Sequence, residues 1–313
     1  MIRLILRRLL SAFVVMAIVA VIVFMLIHLS PGDPAAVIAG EHATTQDIER
    51  VRATLGLDQP LIVQFWFWLE RLLHSDLGIS LFSRMPVATL VASRLEPTLA
   101  LSLLTIVFAV GTAIPLGIIA AWQVGRWADR VIMAIATAGF SFPIFLVGYA
   151  LVWGFALQLR WLPVQGFRGL STGLGNELRY LVLPAISLGL VFMALLTRMT
   201  RSTMVEVLGE DYIRTARAKG LRQTRVLLRH GLKNAAVPIV TTIGTGIALL
   251  IGGVVVTESV FAIPGIGRLA IEAVTQRDYP VIQGVILLSS FTYVLLNFAI
   301  DLSYRLFDPR IQG

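Results

Sequence analysis

The stretch that decides the fold runs from Leu9 to Leu29 and reads LLSAFVVMAIVAVIVFMLIHL, with Arg3, Arg7 and Arg8 just ahead of it. Its 21 residues carry no Asp, Glu, Lys or Arg. As a helix, about 20 such residues cross the roughly 30 Å of hydrocarbon in a bilayer. Nothing in that hydrocarbon can satisfy a free backbone amide or carbonyl, so the segment must bond its backbone to itself. A secretory signal also places basic residues before an apolar core. That core is only about 7–15 residues long and ends at a small-x-small cleavage site, which is missing here. The apolar run gives way instead to Ser30-Pro31-Gly32-Asp33-Pro34, a helix stop. An uncleaved first span at 9–29 is expected, with its N-terminus in the cytoplasm.

The rest of the chain repeats the pattern. Its 313 residues are 57% apolar and only 14% charged, with a mean hydropathy of +0.83. A soluble domain carries about 25% charged residues. Further spans are expected at about 97–122, 131–159, 180–197, 237–261 and 281–300. The chain therefore reads as an all-α polytopic membrane protein, one domain over 1–313 with six transmembrane helices. The third span is longer than a crossing needs, and Pro143 marks the place for a bend. Charge tests the topology. With sides alternating from the N-terminus, the inner segments (the N-terminus, 123–130, 198–233 and the tail from 301) hold 16 Lys/Arg against 6 Asp/Glu. The outer segments hold 10 against 12. This is the positive-inside distribution, and an even number of spans returns both termini to the cytoplasm. The net charge of +8 is then a topological signal, and no nucleic-acid partner is needed to account for it. Absence of cysteine excludes disulfides, thiolate metal sites and thiol nucleophiles.

The outer segment 30–96 is long for a connector and carries helical signals. Thr44 or Thr45 can cap a helix with Ile48, Val51 and Leu55 on one face and Gly56 as its stop. Pro60 opens a second, with Ile62, Phe65, Trp66, Leu69 and Leu73 along one side. The run Phe65-Trp66-Phe67-Trp68 suits a helix at headgroup depth. This insert either caps the spans from outside or docks a partner.

The inner segment 198–236 is the most informative. From Asp211 it reads Asp-Tyr-Ile-Arg-Thr-Ala-Arg-Ala-Lys-Gly, ending at Gly220. Asp211 is a suitable cap, Ala216 and Ala218 favour helix, and Gly220 is a natural stop. A two-turn helix and a sharp corner are expected. A second basic helix then runs through Arg222, Arg225, Arg229 and His230 towards Asn234 and Pro238. Small residues would let the short helix seat deep in a groove, with Arg214, Arg217 and Lys219 supplying charge around it.

Span five contains a small, polar patch of Thr241, Thr242, Gly244, Thr245 and Gly246, with Gly252-Gly253 two turns later. Close helix packing and a pathway lining both fit it. Pro264-Gly265-Ile266-Gly267 reads as a tight turn with positive backbone angles at its glycines. It either joins spans five and six or also contacts substrate or a binding protein. Glu258, Asn297 and Asp301 are candidates for gating contacts, since ionisable groups near the membrane are functional hypotheses by default. There is no Gly-x-x-x-x-Gly-Lys-Ser/Thr loop to cradle phosphate. The histidines His28, His42, His74 and His230 never form His-Glu-x-x-His, and Gly139-Phe-Ser-Phe-Pro143 lacks the second glycine of a nucleophile elbow. No enzymatic activity or metal site is expected in this chain.

The segment Tyr212–Leu221, with His230 and Asn234-Ala235 before Pro238, resembles the cytoplasmic signature loop of bacterial ATP-binding-cassette importer permeases. Arg214-Thr215-Ala216 stands where that family's general pattern has Glu-Ala-Ala, a version similar to the dipeptide, oligopeptide and nickel branch. The likeness continues in Pro31-Gly32-Asp33-Pro34, Leu55-Gly56-Leu57-Asp58-Gln59-Pro60, Asp76-Leu77-Gly78-Ile79-Ser80 and Arg94-Leu95-Glu96-Pro97-Thr98. It returns in Glu258-Ser-Val-Phe261, Pro264–Gly267, Arg277-Asp278-Tyr279-Pro280 and Asp308-Pro309-Arg310. It implies a type I importer permease fold in the inner membrane. Asp211, Tyr212, Thr215, Ala216, Arg217, Ala218, Lys219 and Gly220 are implied to form the helix that couples to an ATPase. Thr241, Thr242, Thr245 and Glu258 are pathway candidates, and Pro264, Gly265, Ile266 and Gly267 are docking candidates. The implied partners are a second homologous permease, two ATPase subunits that hold ATP and magnesium, and a periplasmic or lipid-anchored binding protein. The expected cargo is a di- or oligopeptide, with nickel, glutathione or another small solute as alternatives. A stand-alone secondary transporter is the reading from a different class. It calls for buried ion-coupling charges or inverted repeats, neither of which stands out.

Overall fold

Apolar runs that must bond their own backbones become helices, and every element in the described residues is helical apart from one isolated bridge between Ile79 and Pro86. The structure, a computed structural model, describes residues 2–29, 33–40, 43–56 and 58–307. Ser30-Pro31-Gly32, Leu57 and Asp308-Pro309-Arg310 lie outside the described residues, as do the side chains of Arg3 and Asp301.

The helices are α1 (Ile2–Leu29), α2 (Pro34–Ala39), α3 (Thr45–Leu55), α4 (Leu61–Leu73), α5 (Val87–Trp122), α6 (Trp127–Ser141) and α7 (Ile144–Leu151). The last of these continues as a π-helix, Val152–Gln158. Then come α8 (Leu174–Leu208), α9 (Asp211–Ala218), α10 (Gln223–Arg225) with the π-helix Val226–Leu232, α11 (Ala236–Val260), α12 (Ile266–Gln276) and α13 (Tyr279–Phe307). Among the described residues, five helices are long and apolar enough to cross a membrane. The pair α6–α7 makes a sixth span if it crosses as one, bent by 105°. Pro143, which lacks an amide hydrogen, sits at that break with φ −59° and ψ 138°, outside the helical region.

Several element ends differ from expectation. The second span begins inside a helix that starts at Val87 and carries Pro97 and Pro115 in its interior. Membrane helices tolerate such prolines because neighbours re-satisfy the freed carbonyls. The fourth span continues to Leu208, so the first eleven residues of the inner segment 198–236 belong to the same rod. The stretch 262–280, expected as an outer loop, is not a plain loop, because α12 occupies most of it. In the outer insert, Thr44 does cap α3: its hydroxyl accepts from the Asp47 amide while the Asp47 carboxylate accepts from the Thr44 amide. These bonds hold the Asp47 carboxyl below its usual range. Gly56 ends α3 at φ +64°.

The chain forms two compact units, Met1–Leu95 with Leu269–Val294 and Glu96–Arg268 with Leu295–Gly313. In the first, Phe24 of α1 packs edge-on to Phe65 of α4 at 5.4 Å, beside Trp68 at 5.8 Å. Buried Asp278 accepts from the Ser80 hydroxyl at 2.5 Å and from the Leu81 and Phe82 amides. In the second unit α8 is the central rod. Two thirds of its most apolar window is buried, and it packs against α6, α7 and α11. The core of this unit is Leu101, Leu181, Leu188, Phe192, Leu196, Met204, Leu250 and their neighbours. At the end of α8 nearer α9, Arg201 grips buried Asp129 of α6 through Nε at 2.5 Å and Nη2 at 2.7 Å. A two-point fork of this kind fixes orientation as well as distance.

Candidate functional site

The site is built on α9, two turns long. Glu210, extended at φ −69° and ψ 150°, is the residue before the first helical turn, so Asp211 is not the cap but the first helical residue. An acidic side chain in that first turn still complements the helix dipole. Gly220, at φ +75°, takes the left-handed conformation that stops the helix and turns the corner. Positions 213 and 216 share one face of the helix. Ile213 is fully buried and Ala216 nearly so, packed with Val226 and the partly buried Leu208 and Leu221. Burying an isoleucine contributes about 1.5–3 kcal/mol, enough to anchor so short a helix, which would not form alone in water. The small side chain of Ala216 thus lets α9 approach its own chain, and it is not part of any outward docking face.

The opposite face carries Asp211, Arg214, Thr215 and Ala218, all exposed, flanked by Tyr212, Arg217 and Lys219. Arg214 and Asp211 form an exposed pair at 3.3 Å, and the Thr215 hydroxyl donates to the Asp211 carbonyl at 3.1 Å. Thr215 and Ala218 leave the middle of this face flat. Partial burial, with the Glu210 charge adding to it, pushes the Tyr212 phenol upward.

At the far end of the same unit, Glu258 is completely buried. The Thr98 hydroxyl donates to its Oε1 at 2.6 Å, and the Arg268 amide donates to Oε2 at 2.9 Å. The Ile266 amide donates to Thr98 Oγ1 at 2.8 Å. Ile266 and Arg268 lie in the first turn of α12, whose amides have no partner within the helix. Glu258 and Thr98 therefore cap α12 from a distance, and the carboxylate faces the positive end of its dipole. This is the placement of a structural anchor, and Glu258 presents no surface to a pathway.

The expected turn at Pro264–Gly267 is corrected in the same place. Neither glycine has a positive φ; the left-handed residue is Ala262, at φ 50°. Helix α12 already begins at Ile266, and Gly265, Ile266 and Gly267 are buried. The glycines serve proximity: a Cβ at Gly265 would lie 2.0 Å from Glu258 Oε1, and one at Gly267 would lie 2.6 Å from the Val255 Cα. Sequence reasoning missed Thr98, because its link to Glu258 spans 160 positions and no local pattern announces it.

Span five resolves in two parts. Gly244, Gly246 and Gly253 are packing glycines, with Ile300, Phe192 and Leu188 respectively where a Cβ would sit. Thr241, Thr242 and Thr245 donate their hydroxyls to the carbonyls of Val237, Pro238 and Thr241, four residues back. Thr245 is exposed, while Thr241 and Thr242 are half-buried.

A bundle of helices of membrane-crossing length that displays a short polar helix at one end defines the class as an integral membrane protein. Comparison with known proteins gives the particular family. Residues 113–313 match the binding-protein-dependent transport system inner membrane component, and residues 1–102 match the N-terminal part of such membrane components. The chain belongs to this family: it is a multi-pass inner-membrane permease subunit of an ATP-binding-cassette importer. It is similar to a probable peptide ABC transporter permease of Sinorhizobium fredii, 48% identical over 98% of each chain. It is also similar to the glutathione transport system permease GsiC of Escherichia coli K12, 45% identical over 100% of this chain and 99% of that one. Among solved structures, the inward-facing MetNI methionine ABC transporter superposes with a TM-score of 0.59 at 18% identity, covering 70% of this chain and 96% of the other. That likeness is one of fold.

Proposed function

We propose that this chain is one of two homologous permease subunits through which an importer moves di- and oligopeptides, glutathione-like peptides included. The observation that carries the coupling role is the two-faced α9: one face anchored in its own core by Ile213 and Ala216, the other flat and exposed. On this reading two ATPase subunits, which hold ATP and magnesium, receive the α9 face of each permease in a groove. Thr215 and Ala218 permit close approach, while Asp211, Tyr212, Arg217 and Lys219 supply polar contacts around them, and Gly220 fixes the corner. Closure of the ATPases on ATP draws the two α9 helices together. Because α8 is one continuous helix of 35 residues ending three residues before α9, displacement at α9 reaches the opposite end of the bundle as a rigid-body tilt. Hydrolysis then resets the permease.

A periplasmic or lipid-anchored binding protein delivers the cargo at the outer end. There Pro264 is half-exposed and Gly265, Ile266 and Gly267 support it from below. Thr245 on α11 is the best placed of the threonines to face a solute path. Both termini lie in the cytoplasm, as the basic inner segments require. Peptide cargo is supported by the relatives, one named for peptides and one for glutathione, itself a tripeptide.

The test is uptake by the reconstituted importer. Ala218→Trp should reduce ATP-driven dipeptide uptake to background while insertion and thermal melting of the permease stay unchanged. Wild-type uptake by that variant would remove the coupling assignment. Transport of other solutes but no peptide would remove the cargo assignment.

A further inference from the structure

The loop between α7 and α8 brings three arginines to one place. Arg160, Arg168 and Arg179 line a single cavity of about 410 Å³ together with Trp161, Asn176 and Tyr180. No carboxylate lines it, and among the described residues none of the three arginines forms an ion pair. Guanidinium groups stay charged at any physiological pH, so the cavity wall carries three positive charges without an ion-pair partner among the described residues, the carboxylate that the loop does meet, Glu96, being bonded to the Leu170 amide. The segment 160–179 lies at the end of α8 opposite α9, the side from which the positive-inside bias removes basic residues. Its three arginines, against one buried acid, Glu177, run counter to that bias and need another reason.

The cavity is held in shape. The Gly166 amide donates to the Phe261 carbonyl at 2.9 Å, and the Leu170 amide to the Glu96 carboxylate at 3.1 Å, pinning the loop on both sides of Arg168. Arg168 lies over the Tyr180 ring at 6.0 Å. Asn176, Arg179 and Tyr180 share one face of the first turns of α8. Arg160 is held at φ 56°, a left-handed conformation uncommon for a residue with a side chain. Trp161 of the cavity wall and, just before it in the chain, Trp153, Leu157 and Leu159 are 62%, 63%, 53% and 48% exposed. Exposed indoles and leucines at the end of a span mark the depth where acyl chains meet headgroups.

We propose that this cavity binds the phosphate of a membrane phospholipid. The arginine forks take the phosphate oxygens, the second N–H of the Asn176 amide, whose first bonds the Thr172 carbonyl at 2.9 Å, completes the donor set, and the acyl chains lie along Trp153 and Leu157. Arg–phosphate pairs are bidentate and strong, and the volume is in the range of small-ligand pockets. An acidic protein surface would match the arginines and leave the exposed apolar approach without a purpose.

The experiment uses the full chain purified in mild detergent, with bound lipid read by native mass spectrometry and by titration with phosphatidylglycerol. Phosphatidylglycerol should remain bound, while diacylglycerol, which lacks the phosphate, should not. Replacing all three arginines (R160Q, R168Q and R179Q) should weaken binding at least about tenfold, the loss expected when charge-assisted bonds disappear. The pair R168K and R179K keeps the charge and loses the fork, and should weaken binding by a smaller factor with melting unchanged, which guards against misfolding of the triple variant. Equal phosphatidylglycerol binding by wild type and triple variant would overturn the proposal. So would inorganic phosphate displacing the lipid at equal concentration. A triple variant that keeps the lipid and loses association with the binding protein would also overturn it, and would assign the arginines to protein docking.

Discussion

At the scale of single residues, the anchor between Glu258 and α12 turns on atoms that cannot be moved. Gly267 is the sharper case, because a methyl group there meets the backbone of Val255 at 2.6 Å, and a helix backbone yields less readily than a side chain. At Gly265 the obstacle is a carboxylate that Thr98 and the Arg268 amide already hold. Overpacking of this kind costs about 1–3 kcal/mol. Both Gly265→Ala and Gly267→Ala should lower the melting temperature of the purified chain, Gly267→Ala by more. An unchanged melting curve for Gly267→Ala would mean that α12 and α11 do not touch as described. The sequence marked Glu258 as a pathway and gating candidate; its complete burial against Thr98 and the first turn of α12 makes it an anchor instead. Whether such a group faces a pathway or caps a helix depends on a hydroxyl 160 positions away, and no periodicity in the chain encodes that meeting.

At the scale of elements, α9 was legible from its stop signal and its alanines, and its extent, Asp211 to Ala218, matches a two-turn reading. Its orientation was not legible. In eight residues the apolar signal reduces to Ile213 and Ala216, and the partner that makes this face internal, Val226, arrives only after the corner at Gly220. Removing that anchor should free the helix. Ile213→Ala deletes a fully buried side chain, a change that costs about 2–5 kcal/mol in a packed core. The loss here falls on one small cluster, so local detachment is expected in place of global unfolding. Limited trypsin digestion should then cleave after Arg217 and Lys219 faster than in the wild type, with the transmembrane helices intact. Cleavage at the wild-type rate would argue that α9 is held by something else.

At the scale of the whole molecule, α8 fixes which segments lie at opposite ends, and the bent pair α6–α7 decides whether the spans number six. The chain contains no cysteine, so single cysteines can be placed without background. Val124→Cys and Ala218→Cys should react with a membrane-impermeant maleimide from the cytoplasmic side only, and Ser171→Cys from the outer side only. If Val124→Cys and Ser171→Cys react from the same side, α6–α7 enters and leaves the membrane on one face.

The sequence by itself determined what a local rule can carry. Apolar runs of membrane length, basic segments between them, a helix cap at Thr44 or Thr45 and a glycine stop at Gly220 each act within a few residues, through backbone hydrogen bonding and transfer from water. Tertiary structure alone decided what those elements face. It joined Ser80 to Asp278 and Thr98 to Glu258, turned Ala216 inward, made packing surfaces of the glycines at 265 and 267, and gathered Arg160, Arg168 and Arg179 around one cavity. Buried carboxylates and close-packed glycines are tolerable only when a particular partner is already in place, and that partner lies far along the chain.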